Sequence, residues 1–443
     1  MKILERSWIV ILIWFVSLTL ALAVKPPQSD IFFTLTYLFG GLLVLSFLWA
    51  WLNLHWTRIT RRTRSRRSQV GKYTEEHFVI ENTGPLPKLW LEMRDHSELP
   101  GHLASRVLNS LPPHRRRSWA VKTTCFRRGR FMLGPITLYS GDPFGLFLLK
   151  RDIHLANHIV VYPPTLDLPG FSPPIGQVSG GDALRRRTHY ITTNVASVRD
   201  YVPGDSFNRI HWRSTARTGR LIVKEFELDP MADIWLFLDL EKRVQVGSVK
   251  DPTPQDLTLP SFLRVLRDDA SDIDLDPSTE EYAIAITASL AKHFLDRNRS
   301  VGMITYAHRE QREFAQTDRG ERQLARILDM LAVAHAEGNI PLAQVLAAET
   351  VHFTRDTTAL IVTSSTDPEW VVATRHLVTR GVRCIAVVID PANFVQEAST
   401  GRYERLTRRV VTDLVASQIP TYVVRFGDPL EMALNEANAQ TVN

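Results

Sequence analysis

The amino-acid sequence predicts a multidomain chain: an N-terminal transmembrane helical hairpin, a small β-sandwich, and an α/β Rossmann-like domain. Three observations predict it. Residues 8–24 and 31–54 hold no charged side chain. Residues 70–162 break into short β-patterned runs separated by turn residues. From Asp233 onward, apolar strand-like runs alternate with helical periodicity.

Either apolar run is long enough to cross a hydrocarbon core of roughly 30 Å at about 1.5 Å per residue. Gly40-Gly41 in the second run reads either as a site of close helix approach or as a pair that is merely tolerated. Six arginines come next: Arg58, Arg61, Arg62, Arg64, Arg66 and Arg67. Cytoplasmic flanks collect Lys and Arg. The block is therefore expected to meet anionic headgroups, membrane lipid being its partner, with everything after it in the cytoplasm. Lys2 and Arg6 sit before the first run, so the pair reads as a multi-pass hairpin of the inner cell membrane. A competing reading takes Ala21-Leu22-Ala23 as a signal-peptidase site. The large domain stays cytoplasmic in both.

Lys plus Arg number 53 and Asp plus Glu 47, a net charge of +6. The arginine block accounts for that excess, which leaves the remainder near neutral. A general nucleic-acid binder would spread a basic footprint over its fold, so no nucleic acid is expected. Cys125 and Cys384 stand far apart in strand-like runs and read as small buried hydrophobes.

Within the sandwich, strands are expected at residues 77–81, 89–93, 118–124, 131–135 and 136–139, with Asn82-Thr83-Gly84 as a turn. Residues 166–182, rich in Pro and Gly, read as a linker. In the α/β domain, 234–238 is a continuous apolar run, as a buried parallel strand should be. Ser278 and Glu281 make a capping box for a helix over 282–295. Strands are expected at 301–306, 359–363, 382–389 and 421–426. Leu324, Ile327, Leu328 and Leu331 share one helix face. A helix over 369–380 stops at Gly381, and another spans 402–418. Residues 251–277, rich in Pro, Asp and Ser, interrupt the alternation as an acidic insert. The boundaries drawn are 1–69 for hairpin and basic segment, 70–165 for the sandwich, 166–230 for linker and signature segment, 231–429 for the α/β domain, and 430–443 for the tail.

The densest polar stretch holds Arg199, Tyr201, Gly204, Asp205, Arg209, Ile210, Trp212, Ala216, Arg217 and Glu225. Two readings compete. In one, Arg199, Asp205, Arg209 and Arg217 pair through planar forks and staple the segment to its domain. In the other, Arg209, Arg213 and Arg217 face outward and grip an acidic partner or a phosphate, with Trp212 as a contact anchor. These residues, in the order Arg-x-Tyr-x-x-Gly-Asp, Arg-x-Ile-x-Trp, Ala-Arg and a closing Glu, resemble the bacterial family called domain of unknown function 58. A second block matches as well: Arg127-Arg128-Gly129-Arg130-Phe131, Leu133-Gly134-Pro135 and Asp142-Pro143-Phe144-Gly145-Leu146. The resemblance implies a membrane hairpin, a β-sandwich and a domain similar to the von Willebrand factor type A fold. It also implies a MoxR-type AAA+ ATPase as partner, in assembling or activating envelope complexes.

The type A fold often holds Mg²⁺ through an Asp-x-Ser-x-Ser loop, whose hydroxyls and carboxylates are the hard oxygen ligands that ion requires. Here the loop reads Asp239-Leu240-Glu241-Lys242-Arg243. Asp239 matches, both serines are missing, and two cations are added. Asp367, or Thr366 beside it, reads as a cap for the following helix. These positions form a degenerate metal site, and no cofactor is expected. No phosphate-cradling Gly-rich loop, His-Glu-x-x-His or Gly-x-Ser-x-Gly occurs. The favoured expectation is a non-enzymatic, membrane-tethered protein-interaction adaptor. The alternatives are a metal-dependent hydrolase at Asp239, Glu241 and Asp367, or a binder of anionic lipid or nucleic acid led by the arginine block and Arg185–Arg187.

Overall fold

The computed structural model describes residues 2–3, 5–25, 29–171, 195–202, 210–226, 233–248, 275–309, 311–353, 357–395 and 397–435. They divide into two compact units.

In the first unit, helices α1 (Glu5–Ala23) and α2 (Ser29–Leu54) form a packed pair. Small polar residues let them approach. Thr36 Oγ1 donates to Ser17 Oγ at 3.1 Å, and Ser17 Oγ donates to the Phe32 carbonyl at 2.9 Å. Gly40 sits against the Trp14 ring, where a Cβ would lie 2.8 Å from the indole nitrogen. Gly41 meets nothing comparable. Helix α2 is long and apolar enough to cross a membrane, and only 11% of its most apolar window is buried. A core helix of a soluble domain would be mostly buried.

The β-rich body begins earlier than the sequence pattern suggests. Its strands are β1 (Lys2–Ile3), β2 (Thr57–Thr63), β3 (Arg67–Gln69), β4 (Tyr73–Asn82), β5 (Lys88–Asp95), β6 (Arg106–Leu111), β7 (Arg116–Thr124), β8 (Gly129–Leu133), β9 (Ile136–Gly141), β10 (Phe147–Ile153) and β11 (Asn157–Tyr162). One sheet runs β1-β10-β9-β5-β6, a second β2-β4-β7 and a third β3-β11-β8. The first two face each other across a core of Ile59, Phe78, Ile80, Leu91, Met93, Leu108, Ile136 and Leu138. The boundary at residue 69 is thus corrected. The arginine block spans strand β2, a short connection and the first residue of β3. Strand β2 pairs along β4 from Thr57↔Asn82 to Thr63↔Glu76.

That placement also corrects the reading of Arg61. A strand sends alternate side chains to opposite faces, and Arg58 and Arg62 are exposed while Arg61 is buried. The Arg61 side chain is 1% exposed. Its guanidinium forks onto Glu76 (Nε–Oε1 3.0 Å, Nη2–Oε2 2.5 Å) and reaches Asp95 Oδ1 at 3.0 Å. His102 Nε2 lies 3.1 Å from Glu76 and 3.2 Å from Asp95, and its Nδ1 is 2.8 Å from Thr123 Oγ1. Arg64, Arg66 and Arg67 are exposed.

Lys88 on β5 is buried, and its ammonium donates to the Leu52 carbonyl at 2.5 Å and the His55 carbonyl at 2.9 Å. It caps carbonyls at the end of α2, where a cation also meets the negative pole of the helix. Burial pulls its pKa down to about 8. Lys88→Met should cost about 1–3 kcal/mol by orphaning those acceptors. Thermal unfolding in detergent checks this, and an unchanged melting temperature would refute the capping role.

In the second unit, β14 (Ile234–Leu238), β15 (Val301–Arg309), β16 (Gln311–Asp318), β17 (Glu337–Gly338), β18 (Thr358–Thr363), β19 (Arg383–Ile389) and β20 (Thr421–Val424) build one sheet. Its order is β16-β15-β14-β18-β19-β20, with β17 on β15. Only β16 runs antiparallel to its neighbour; the other pairs are parallel. Strands β14 and β18 are buried throughout, which explains their continuous apolar sequences. Helices α4 (Thr279–Asp296), α5 (Glu321–Val333), α6 (Leu342–Ala348), α7 (Glu369–Thr379) and α8 (Glu397–Ala416) alternate with the strands, and α9 (Leu430–Asn435) comes after β20. The region is α/β, as the alternation implies.

Three details differ from expectation. Ser278 is the N-cap of α4, but its side chain makes no capping bond. Part of the expected linker is core: Leu168 and Phe171 are buried, with Phe171 against His293, Phe294 and Tyr422. Strand β16 is antiparallel and helix α6 is short, and neither had a clear periodic signal. Residues 172–182 and 251–274 lie outside the described residues. Cys125 and Cys384 are free and buried, as read.

Candidate functional site

Ligands of parallel α/β sheets meet the carboxyl ends of the strands, and that edge is elaborated here. The chain leaves β14 at Asp239, which is buried. Both carboxylate oxygens are engaged: Oδ1 accepts from the Glu241 N–H at 3.1 Å, and Oδ2 accepts from Thr363 Oγ1 at 2.6 Å. Burial pushes the Asp239 pKa up to about 6, against the bonds from Thr363 and Glu241. Gln245 ties the loop down, donating to the Asp239 carbonyl at 2.8 Å and accepting from Thr279 Oγ1 at 2.7 Å. Glu241 is buried too, and its pKa is raised by that burial, with Arg243 opposing the rise.

The loop after β18 forms the opposite bank. Ser364 Oγ donates to the Val244 carbonyl at 3.0 Å, and the fully buried Trp370 donates to the Ser365 carbonyl at 3.2 Å. Asp367 Oδ1 accepts from the Glu369 N–H at 3.0 Å, while the N-cap of the following helix is Pro368, which makes no side-chain capping bond. A cleft of about 270 Å³ lies here, lined by Arg243, Ser364, Thr366, Asp367, Arg402 and Tyr403 among others. Arg402 and Tyr403 come from α8, distant in sequence and carrying no motif, so pattern reading did not find them.

The residues present do not fit a Mg²⁺ site. Thr363 and the Glu241 amide already take the Asp239 oxygens, and Lys242 and Arg243 are exposed cations in the loop where hydroxyl ligands would be needed. Among the described residues no three His, Cys, Asp or Glu side chains gather to hold an ion.

The signature segment folds as a small module. Strands β12 (Val195–Asp200) and β13 (Ile222–Phe226) pair antiparallel, with Arg199 opposite Val223 and Asp200 opposite Ile222. Helix α3 (Trp212–Thr218) lies between them in sequence. His211 caps its start, accepting from the Ser214 N–H at 3.3 Å. Gly219, at φ 69°, closes its end by donating to the Thr215 carbonyl, a left-handed position that glycine adopts readily. Ile210, Ile222 and Val223 are buried beneath. Trp212 is 67% exposed, and Arg213, Arg217 and Arg220 are exposed with it. Val202 and Leu221 add exposed apolar surface.

Of the four residues of the stapled-network reading, only the side chain of Arg217 is among the described ones. It is a solvent-facing residue with no ion pair among the described residues. Tyr201 is half-buried, and its N–H donates to the Leu221 carbonyl at 2.9 Å. Gly204, Asp205 and Arg209 lie outside the described residues, as do the side chains of Arg199 and Glu225. The second block is structural. Asp142 accepts from the backbone N–H groups of Phe144, Leu146 and Phe147 at 2.9, 2.8 and 2.6 Å. Gly134, at φ 90°, leaves no room for a Cβ, which would lie 2.3 Å from the Leu155 carbonyl.

These features define a class: a multidomain chain with paired apolar N-terminal helices, a β-rich body, and an α/β unit bearing an Arg/Trp module. The family model described as "Protein of unknown function DUF58" matches residues 197–258, which contain that module. Over that stretch the chain is similar to this family. It is 29% identical over 118 residues to the uncharacterized protein YeaD of Bacillus subtilis, a stretch covering 25% of this chain and 28% of that protein. The match thus spans little more than a quarter of the relative's length. Among solved structures, the CARDB domain of a Pyrococcus furiosus protein aligns at 12% identity and TM-score 0.18, covering 24% of this chain and 91% of that one. A FixG-related protein from Vibrio parahaemolyticus aligns at 6% identity and TM-score 0.17, covering 24% and 98%. At such TM-scores these likenesses carry no argument.

Proposed function

We propose that this chain is a non-enzymatic adaptor, tethered to the inner membrane by α1 and α2, that binds a protein partner on the cytoplasmic side. The observation that carries the reading is the surface of α3. Trp212 stands in solvent beside Arg213 and Arg217 on a helix capped at both ends. An exposed tryptophan flanked by arginines is the residue composition of an interface hot spot. The cationic flank favours an acidic partner surface. The family resemblance makes that partner a MoxR-type AAA+ ATPase and the α/β unit von Willebrand factor type A-like. The membrane part rests on the length and exposure of α2, and multi-pass topology on its pairing with α1.

The test is affinity capture of the tagged full chain from native membranes, read by mass spectrometry. An AAA+ ATPase should be recovered with the wild type and lost with Trp212→Ala and Arg217→Ala. Arg217→Ala should leave stability within about 0.5 kcal/mol, as an exposed substitution does. Equal recovery with both variants would remove α3 from the interface. A large stability loss in Arg217→Ala would return it to a structural clasp.

A further inference from the structure

The cleft at the carboxyl edge of the sheet has its walls fixed and its donors unspent. Ser364, Ser365 and Asp367 are held by bonds within their own loop and to the loop after β14. Facing the space, Arg243, Arg402, the Thr366 hydroxyl and the Tyr403 phenol make no hydrogen bond with the described residues. Fixed walls with free donors are a preorganised receptor, whose ordering cost is met before a ligand arrives. The guanidiniums supply planar forks suited to an oxyanion. Two of them set against the Asp367 carboxylate leave one net positive charge in the lining. That balance matches a single carboxylate better than a phosphate dianion. At about 270 Å³ the cleft is at the lower edge of small-molecule sites, room for a head group and not for a nucleotide.

We propose that this cleft binds one carboxylate, the acidic side chain of a partner protein, held between Arg243 and Arg402. The proposal rests on the adaptor reading for the source of the carboxylate, but on a surface separate from α3. The probe is a short synthetic peptide with one central glutamate and blocked ends, titrated against the full chain in detergent, beside its glutamine counterpart, sodium acetate and inorganic phosphate. The glutamate peptide should bind saturably and the glutamine peptide at least about tenfold more weakly. Arg243→Gln and Arg402→Gln should each weaken binding by at least about tenfold, while Arg213→Gln and Trp212→Ala leave it unchanged. Both cleft arginines are exposed, so neither variant threatens the fold. Equal binding of the two peptides, or no response to either cleft substitution, would overturn the site. Tighter binding of phosphate would overturn the carboxylate chemistry. Acetate as effective as the peptide would overturn the protein source. Loss of capture on Trp212→Ala with peptide binding intact would confirm the adaptor surface separately.

Discussion

Replacing Arg61 with alanine should destabilise the β-rich body by about 3–5 kcal/mol, the cost of removing one partner from a buried ion cluster. The side chains of Arg61, Glu76, Asp95 and His102 are each no more than 1% exposed. With His102 protonated the four sum to zero charge. Alanine leaves two buried carboxylates facing one imidazolium. Hydrogen exchange of the full chain in detergent reads the effect locally. Amides of β2 and β4 should exchange about 10²- to 10⁴-fold faster, the equivalent of that energy. If Arg61 instead lay among lipid headgroups, exchange would change by less than about threefold, as for other surface substitutions.

The same cluster gives a pH window. Burial alone would raise the Glu76 pKa, but hydrogen bonds from His102 and Arg61 outweigh it and hold the carboxyl at about 2. Asp95 is likewise lowered, burial being outweighed by His102, Ser97 and Arg61. Their stabilisation is present above the ordinary carboxylate range and is lost as pH falls toward 2. For His102, burial works against charge, but Asp95 and Glu76 raise its pKa above 6.5. Its contribution is complete below 6.5 and fades as pH rises through the folded value. The body should therefore be most resistant between about pH 4.5 and 6.5, and Arg61→Ala should flatten that maximum.

Why the cluster escaped sequence reading is physical. Arg61 sits in a run of arginines, so composition assigned it to a membrane surface. Its burial comes from strand alternation, which requires knowing that residues 57–63 pair with β4. Glu76, Asp95 and His102 are scattered polar residues that only the sheet stacking unites. By contrast, β14, β18 and α7 were legible because burial on both faces, or on one helical stripe, writes an apolar period into the chain. In the signature segment the residues were legible but their disposition was not. Arg217 reads equally as a clasp or a contact in sequence, and only the structure shows that it is exposed on α3. Asp239 and Asp367 were found by position after strands, whereas Thr363, Gln245, Arg402 and Tyr403 belong to the edge only through tertiary proximity.

Asp239→Asn should raise stability at pH 7–8 by about 1–2 kcal/mol, against the usual direction for a buried polar residue. In the folded chain the Asp239 pKa stands at about 6, above the unfolded 3.8. A carboxylate with a raised pKa binds protons more tightly when folded, so its ionisation opposes folding. The penalty vanishes only well below pH 3.8, is still under about 1 kcal/mol at pH 4, and reaches about 3 kcal/mol well above pH 6. Asparagine removes the charge and keeps the acceptor for the Glu241 N–H. It loses part of the gain because its amide donates toward Thr363 Oγ1, which already accepts from the Ser365 N–H at 2.8 Å. The difference in melting temperature between variant and wild type, measured from pH 4 to 8, should grow with pH and change sign near 5. A variant less stable at pH 8 would mean that the ionised form is the one the fold holds, as a bound cation would require. Added Mg²⁺ should then stabilise the wild type and leave Asp239→Asn unmoved. The expected outcome is the reverse: Mg²⁺ moves neither, and the strand edge keeps a carboxyl that ionises at the expense of stability. Such a cost persists in sites that work at the expense of the fold. A pH-dependent gain in Asp239→Asn would therefore mark this edge, and the cleft beside it, as a place built for binding.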